Sequence, residues 1–152
     1  MKQSITIQPI TFETCPQIET IGKECLPIYY KEDNLFYLLV SPKYRLYSIQ
    51  ENKPSSTIFG FIIYEFLTDK TVSTIQICSL AILPSYRKQG YAQQLLNYMI
   101  YQHPKTHFCL HVLEENDSAI NLYKKMGFYQ KRFVSNYYDT LQKNAYFFER
   151  IK

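Results

Sequence analysis

Residues 80–96 constrain this chain more than any other stretch. Leu80-Ala81-Ile82-Leu83-Pro84 reads as an apolar strand stopped by proline, and Ser85-Tyr86-Arg87-Lys88-Gln89 as a basic loop. Gly90-Tyr91-Ala92 then opens a helix in which Ala92, Leu95, Leu96 and Met99 form one apolar stripe. A helix start presents N–H groups without intrahelical partners and the positive end of a dipole. Small residues there let a phosphate approach the backbone, and Arg87 and Lys88 add charge. The stretch suits a diphosphate. By residue type alone, an ordinary strand–loop–helix with a solvated basic turn also fits. A Walker loop is excluded, because no G-K-[ST] follows, and a lone Gly90 is no dinucleotide fingerprint.

The rest of the chain punctuates clearly. Residues 4–10 alternate as a strand. Thr14 is placed to cap a helix with Pro16 in its first turn, and Pro27 stops it. Residues 35–40 form a second helix, ended before Pro42. Residues 45–50 and 57–66 are strands joined by the turn chemistry of residues 51–56. Residues 72–83 form a fourth strand, 91–102 a helix and 107–113 a fifth strand. Residues 117–126 form a helix with Ala119, Leu122, Tyr123 and Met126 inward and Gly127 at its left-handed cap. Residues 128–134 and 145–150 close the fold as two strands. In the fourth strand Ile75 and Ile77 sit on odd positions but Leu80 and Ile82 on even ones, so a β-bulge is expected near Cys78 and Ser79.

Composition fits one globular domain of 152 residues, with 46% hydrophobic residues and a net charge of +4. That charge is too small to argue for nucleic acid and suits an anionic small ligand. Cys15, Cys25, Cys78 and Cys109 form neither a metal-site nor a disulfide spacing. There is no secretory h-region and no membrane-length apolar run, so a soluble, cytoplasmic protein without membrane partners is expected.

Arg87-x-x-Gly90-x-Ala92 after Leu-Ala-Ile-Leu-Pro resembles the R/Q-x-x-G-x-G/A motif of the GNAT acetyltransferases, with Ala92 where a second glycine is commoner. Asn116, Ala119, Leu122-Tyr123 and Gly127-Phe128 resemble the family's second block. The resemblance covers nearly the whole chain. It implies a single domain over 1–152 of α/β class. The central sheet would be mixed, mostly antiparallel and splayed between the fourth and fifth strands, with helices on both faces. It implies acetyl-CoA as co-substrate and no metal. The pyrophosphate would sit on Arg87, Lys88, Gln89, Gly90, Tyr91 and Ala92. The pantetheine arm would pair with the backbone of Leu80 and Ile82 and with Asn116, and Tyr123 would protonate the leaving thiolate.

The reaction would be direct attack of a neutral amine on the thioester. His111, on the fifth strand, is the best candidate base, since its ordinary pKa of about 6.5 suits proton abstraction near neutrality. Glu65, acting through water, is the alternative. Within the family the chain is similar to protein N-terminal acetyltransferases of the NAA50 and NAA60 kind and to the ribosomal-protein enzymes. Leu26, Pro27, Ile28 and Tyr30 match their substrate loop, His111 their histidine strand, and Tyr137 and Tyr138 their late hairpin. The acceptor would then be a protein or peptide N-terminus, with Leu26, Pro27 and Ile28 lining the first-residue pocket and the three tyrosines gripping the backbone. Gln76 stands where those enzymes carry a tyrosine, and it and Cys78 are counted on the acceptor side. Rival readings are a small-molecule amine or a lysine side chain as acceptor, a non-enzymatic CoA-binding scaffold, and a nucleic-acid module. The chain would act as a monomer or homodimer.

Overall fold

A computed structural model describes residues 4–54, 56–67 and 71–151. The element order is β1 (Ile5–Pro9), α1 (Cys15–Cys25), α2 (Glu32–Val40), β2 (Tyr44–Glu51), β3 (Ile58–Leu67), β4 (Thr74–Ile82), α3 (Tyr91–Gln102), β5 (His107–Leu113), α4 (Asp117–Lys125), β6 (Tyr129–Tyr138) and β7 (Lys143–Arg150). The strands are hydrogen-bonded in the order β1-β2-β3-β4-β5-β7-β6. β4 and β5 run parallel, as expected of strands joined through a helix. Their ladder runs from Thr74↔His107 to Ile77↔Leu110 and stops, although β4 continues to Ile82 and β5 to Leu113. This is the expected α/β fold with a mixed sheet splayed between its fourth and fifth strands.

The chain forms two compact units. The first runs to Glu65 and takes in Cys78–Gln102; the second holds Phe66–Ile77 and the chain from His103 onward.

In the first unit β3 is buried at seven successive residues, 58–64, so both of its faces are covered. The β2–β3 register shows how. Ile49 pairs with Gly60 but Gln50 pairs with Ile58, leaving Phe59 as an extra residue. Side chains change face across it. Ile58, Phe61 and Ile63 join Ile18, Ile21, Leu35 and Leu38 in the core under α1 and α2. Phe59 turns instead to Tyr91 at the start of α3, and Tyr64 lies against Tyr47, which packs on Tyr98 of α3. Helices therefore cover both faces of this unit's strands. Each fully buried isoleucine here, Ile62 and Ile63 included, contributes about 1.5–3 kcal/mol of hydrophobic stabilisation.

The α1 terminus differs from expectation. Thr14 occupies the N-cap position but makes no cap bond to α1. Its hydroxyl serves the preceding 3-10 turn instead, accepting from Thr11 N at 3.0 Å and donating to Thr11 O at 3.1 Å. α2 begins at Glu32, three residues before its first apolar position, because Glu32 and Asp33 favour a helix start.

In the second unit β5 lies between β4 and β7, and β7 pairs antiparallel with β6. Phe108, Leu110, Val112, Phe128 and Phe148 are buried. α4 buries Ile120 and Tyr123, while Ala119, Leu122 and Met126 are only half-buried, so its inward face is turned slightly from the expected one. β6 extends four residues beyond the expected end, to Tyr138, and is almost wholly exposed.

Candidate active site

The basic loop and helix start lie in the first unit. After a 3-10 turn at Pro84–Tyr86, Lys88 and Gly90 take positive φ of 62° and 85°. A left-handed conformation is cheap for Gly90 and costly for most other residues. A side chain at Gly90 would meet nothing within 4 Å, so the space over the start of α3 is open. Gln94 N donates to Gly90 O at 3.0 Å, the first α-helical bond, so the N–H groups of Tyr91, Ala92 and Gln93 have no helical acceptor. The first turn of α3 carries no acidic residue. Arg87, Lys88, Gln89 and Gly90 are exposed. Open space, unengaged amides and two cations fit a diphosphate.

Two residues that the sequence did not single out hold this cradle. Phe59, the extra residue of β3, stacks on Tyr86 at 4.2 Å and Tyr91 at 5.1 Å, and its carbonyl accepts from Leu83 N at 2.8 Å. Gly60 lies so close to β4 that a Cβ would stand 2.3 Å from Ala81 O and 2.5 Å from Ile82 Cδ1. Any side chain at Gly60 would push back the strand whose backbone is the expected partner of the pantetheine arm. The sequence signal for this pair is faint: one glycine inside an apolar strand.

The Ile82 carbonyl accepts from Arg87 Nε at 2.8 Å and from Cys25 Sγ at 3.5 Å. Arg87 thus braces the end of β4 as well as charging the loop. Along β4 Ile75 and Ile77 are buried, Cys78, Ser79 and Leu80 are half-buried, and Ala81 and Ile82 are buried in succession.

The acceptor-side residues of this unit gather around Tyr30. Leu26 and Tyr30 pack on the core under α1 and α2, while Pro27 and Ile28 are exposed. Burial chiefly, with Cys78, Tyr44 and Glu65 nearby, pushes the Tyr30 phenol far above its usual range. Tyr30 and Cys78 are therefore brought together, with Tyr44 as a neighbour that the sequence did not flag. Glu65 pairs with Lys43 at 3.3 Å.

The second unit holds Gln76, His111, Asn116, Tyr123, Tyr137 and Tyr138. His111 is half-buried between two rings, stacked on Tyr137 at 3.9 Å and 7° and tilted against Phe147 at 5.0 Å. Its Nδ1 is buried and has no hydrogen-bond partner. Burial, then the Arg132 guanidinium, holds its pKa below the ordinary 6.5, so the ring is neutral near pH 7. Tyr138 donates to His111 O at 3.5 Å, and burial, then Tyr137, pushes its phenol up to about 12. Tyr123 is 7% exposed and lies edge-on to Phe128 at 5.6 Å. Burial, then Tyr138, raises its pKa well above the phenol range, so it keeps its proton at any working pH. A neutral imidazole can accept a proton and a protonated phenol can donate one. Asn116 caps α4, its Oδ1 accepting from Ala119 N at 3.2 Å. A hydrogen bond to a ligand would fall to its amide nitrogen. Gln76 pairs with Cys109 across the β4–β5 ladder.

Residues 13–128 match the Acetyltransferase (GNAT) family. The chain belongs to that family. Among solved structures, this GNAT chain is similar to NAA60 of Arabidopsis thaliana in complex with a bisubstrate analogue, at TM-score 0.87 and 22% identity over 98% of this chain and 99% of that one. It is similar to the ribosomal-protein-S18-alanine N-acetyltransferase of Escherichia coli at TM-score 0.80 and 21% identity, over 96% and 92% of the two chains. Among curated proteins it is 25% identical to the histone acetyltransferase MCC1 of Arabidopsis thaliana across 160 aligned residues, covering 89% of this chain and 64% of that protein. The chain thus spans under two thirds of that relative's length.

Proposed function

We propose that this chain is an acetyl-CoA-dependent N-acetyltransferase that acts on the N-terminal α-amine of a protein or peptide. The observation that carries this reading is His111: a neutral imidazole, weakened as a base by burial, in an aromatic cage formed by Tyr137 and Phe147. A weak base must be matched to an acceptor that releases its proton readily. An α-ammonium has a pKa of about 7.7–8.0, against about 10.4 for a lysine side chain. Near pH 7 roughly one α-amine in five to ten is already neutral, but only about one lysine in 2,500. A base below pKa 6.5 suits the first acceptor and falls about four units short of the second.

The cradle at residues 87–92 would hold acetyl-CoA, whose thioester supplies the acetyl group. His111 would take the amine proton and Tyr123 would give one to the departing thiolate. Tyr30, Tyr137 and Tyr138 would hold peptide backbone, with Leu26, Pro27 and Ile28 against the first residue. Tyrosine gives such contacts at low entropic cost. The similarity to NAA60 and to an alanine N-acetyltransferase supports the same reading. The similarity to a histone acetyltransferase favours a lysine acceptor as the second reading.

CoA release decides between them. Peptides with free N-termini, varied at residue one, should react, and Nα-blocked lysine peptides should react at least about tenfold more slowly, given the gap in neutral amine. Reaction confined to the blocked peptides would overturn the α-amine reading.

A further inference from the structure

A cavity of about 440 Å³ opens on the β5 face that carries His107, Cys109 and His111. It is within the size range of small-ligand sites. Gln76 and His111 line one end, and Lys131, Arg132 and Glu149 of β6 and β7 line its flank. We infer that this pocket binds an acidic side chain carried by residue two or three of the acceptor peptide. The inference rests on the α-amine reading and extends it to a substrate class.

The charge balance of the lining supports an anion. Among the described lining residues, two cations, Lys131 and Arg132, stand beside one carboxylate, and that carboxylate is already engaged. Glu149 accepts from the Tyr129 hydroxyl and from Lys131 at 3.2 Å, and these bonds hold its pKa below the usual value. Arg132 instead rests its guanidinium over the Phe147 ring, 4.3 Å from the centroid. A guanidinium so placed keeps its in-plane N–H donors for a second partner, and their fork matches a carboxylate. Polyamines and lysine-rich tails would meet like charge in the same place.

The register sets the reach. Arg132 pairs with Phe147, and Phe147 with His111, so Arg132 stands two strands from the candidate base, about 10 Å. His107 lies four residues along β5 from His111, about 13 Å. An extended peptide advances roughly 3.3–3.6 Å per residue. With its α-amine at His111, the side chains of its second and third residues fall within range of Arg132.

The test compares kcat/KM for peptides that differ only by Glu, Gln or Lys at residue two or three. At one or both of these positions Glu should exceed Gln by about fivefold, as expected of a partly exposed ion pair, and Lys should fall below Gln. In Arg132→Gln the Glu/Gln ratio should drop to about one. A ratio is measured within one sample, so partial unfolding of the variant cancels. Equal rates for Glu and Gln at both positions would overturn the pocket assignment, as would a preference that survives in Arg132→Gln. If free α-amines react without that preference, only the pocket falls. If no free α-amine reacts, both readings fall.

Discussion

Tyr123→Phe lowers kcat about 100-fold or more and leaves the acetyl-CoA dissociation constant within about twofold, the pattern of a lost proton donor. The substitution removes one oxygen and keeps the ring. The ring makes the edge-on contact with Phe128 at 5.6 Å, so packing survives. The hydroxyl is the part with chemical use. Burial and Tyr138 raise its pKa, which keeps the hydroxyl protonated and available to donate to the negative charge that develops on the departing sulfur. Steady-state kinetics beside equilibrium binding of acetyl-CoA separates the two roles. Equal losses in both would make Tyr123 a packing residue.

His111→Gln lowers kcat/KM about 100-fold and changes the shape of its pH dependence. The His111 pKa is depressed, so its neutral, proton-accepting form persists below pH 6.5 and is lost only as pH falls further. The free α-amine titrates separately at about 7.7–8.0. In the wild type, log kcat/KM should therefore be flat above about pH 8 and rise with unit slope below it. The slope should steepen to two below the His111 pKa. The variant should share the flat region above about pH 8 and keep unit slope everywhere below it. This readout is insensitive to any stacking lost with Tyr137. A second limb that persists in His111→Gln would place the base elsewhere, Glu65 first.

The parts of the fold legible in the sequence were those with strong local punctuation. The stop at Pro84, the loop, Gly90 and the stripe of Leu95, Leu96 and Met99 placed α3 at its observed bounds, Tyr91–Gln102. β5 and most of α4 followed from the same kind of signal. What stayed hidden depended on tertiary register. β3 is apolar at nearly every position, so alternation could not reveal that Phe59 is an extra residue. Yet that insertion turns Phe59 onto Tyr86 and Tyr91 and so fixes the loop. β6 ends four residues later than expected because an exposed strand such as Gln130-Lys131-Arg132-Phe133-Val134-Ser135-Asn136 carries no hydrophobic period. Thr14 satisfied a capping pattern for α1, but a 3-10 turn one step earlier claimed its hydroxyl.

The candidate site divides in the same way. His111 stood out by residue type and residues 87–92 by their pattern after a strand, while Tyr123 was singled out by the family resemblance. Their partners were not, because Tyr137, Phe147 and Arg132 reach His111 from other strands. Nothing local marks Arg132 as a neighbour of a histidine 21 positions away. The Lys43–Glu65 pair and the Tyr30–Cys78 contact are likewise products of strand pairing and helix packing.

A crystal structure with bound CoA tests the central claim most directly. The diphosphate should lie on the main-chain amides of residues 87–92, against Gly90 and the first turn of α3. Density for CoA elsewhere, with that turn bare or filled by a protein side chain, would contradict the account.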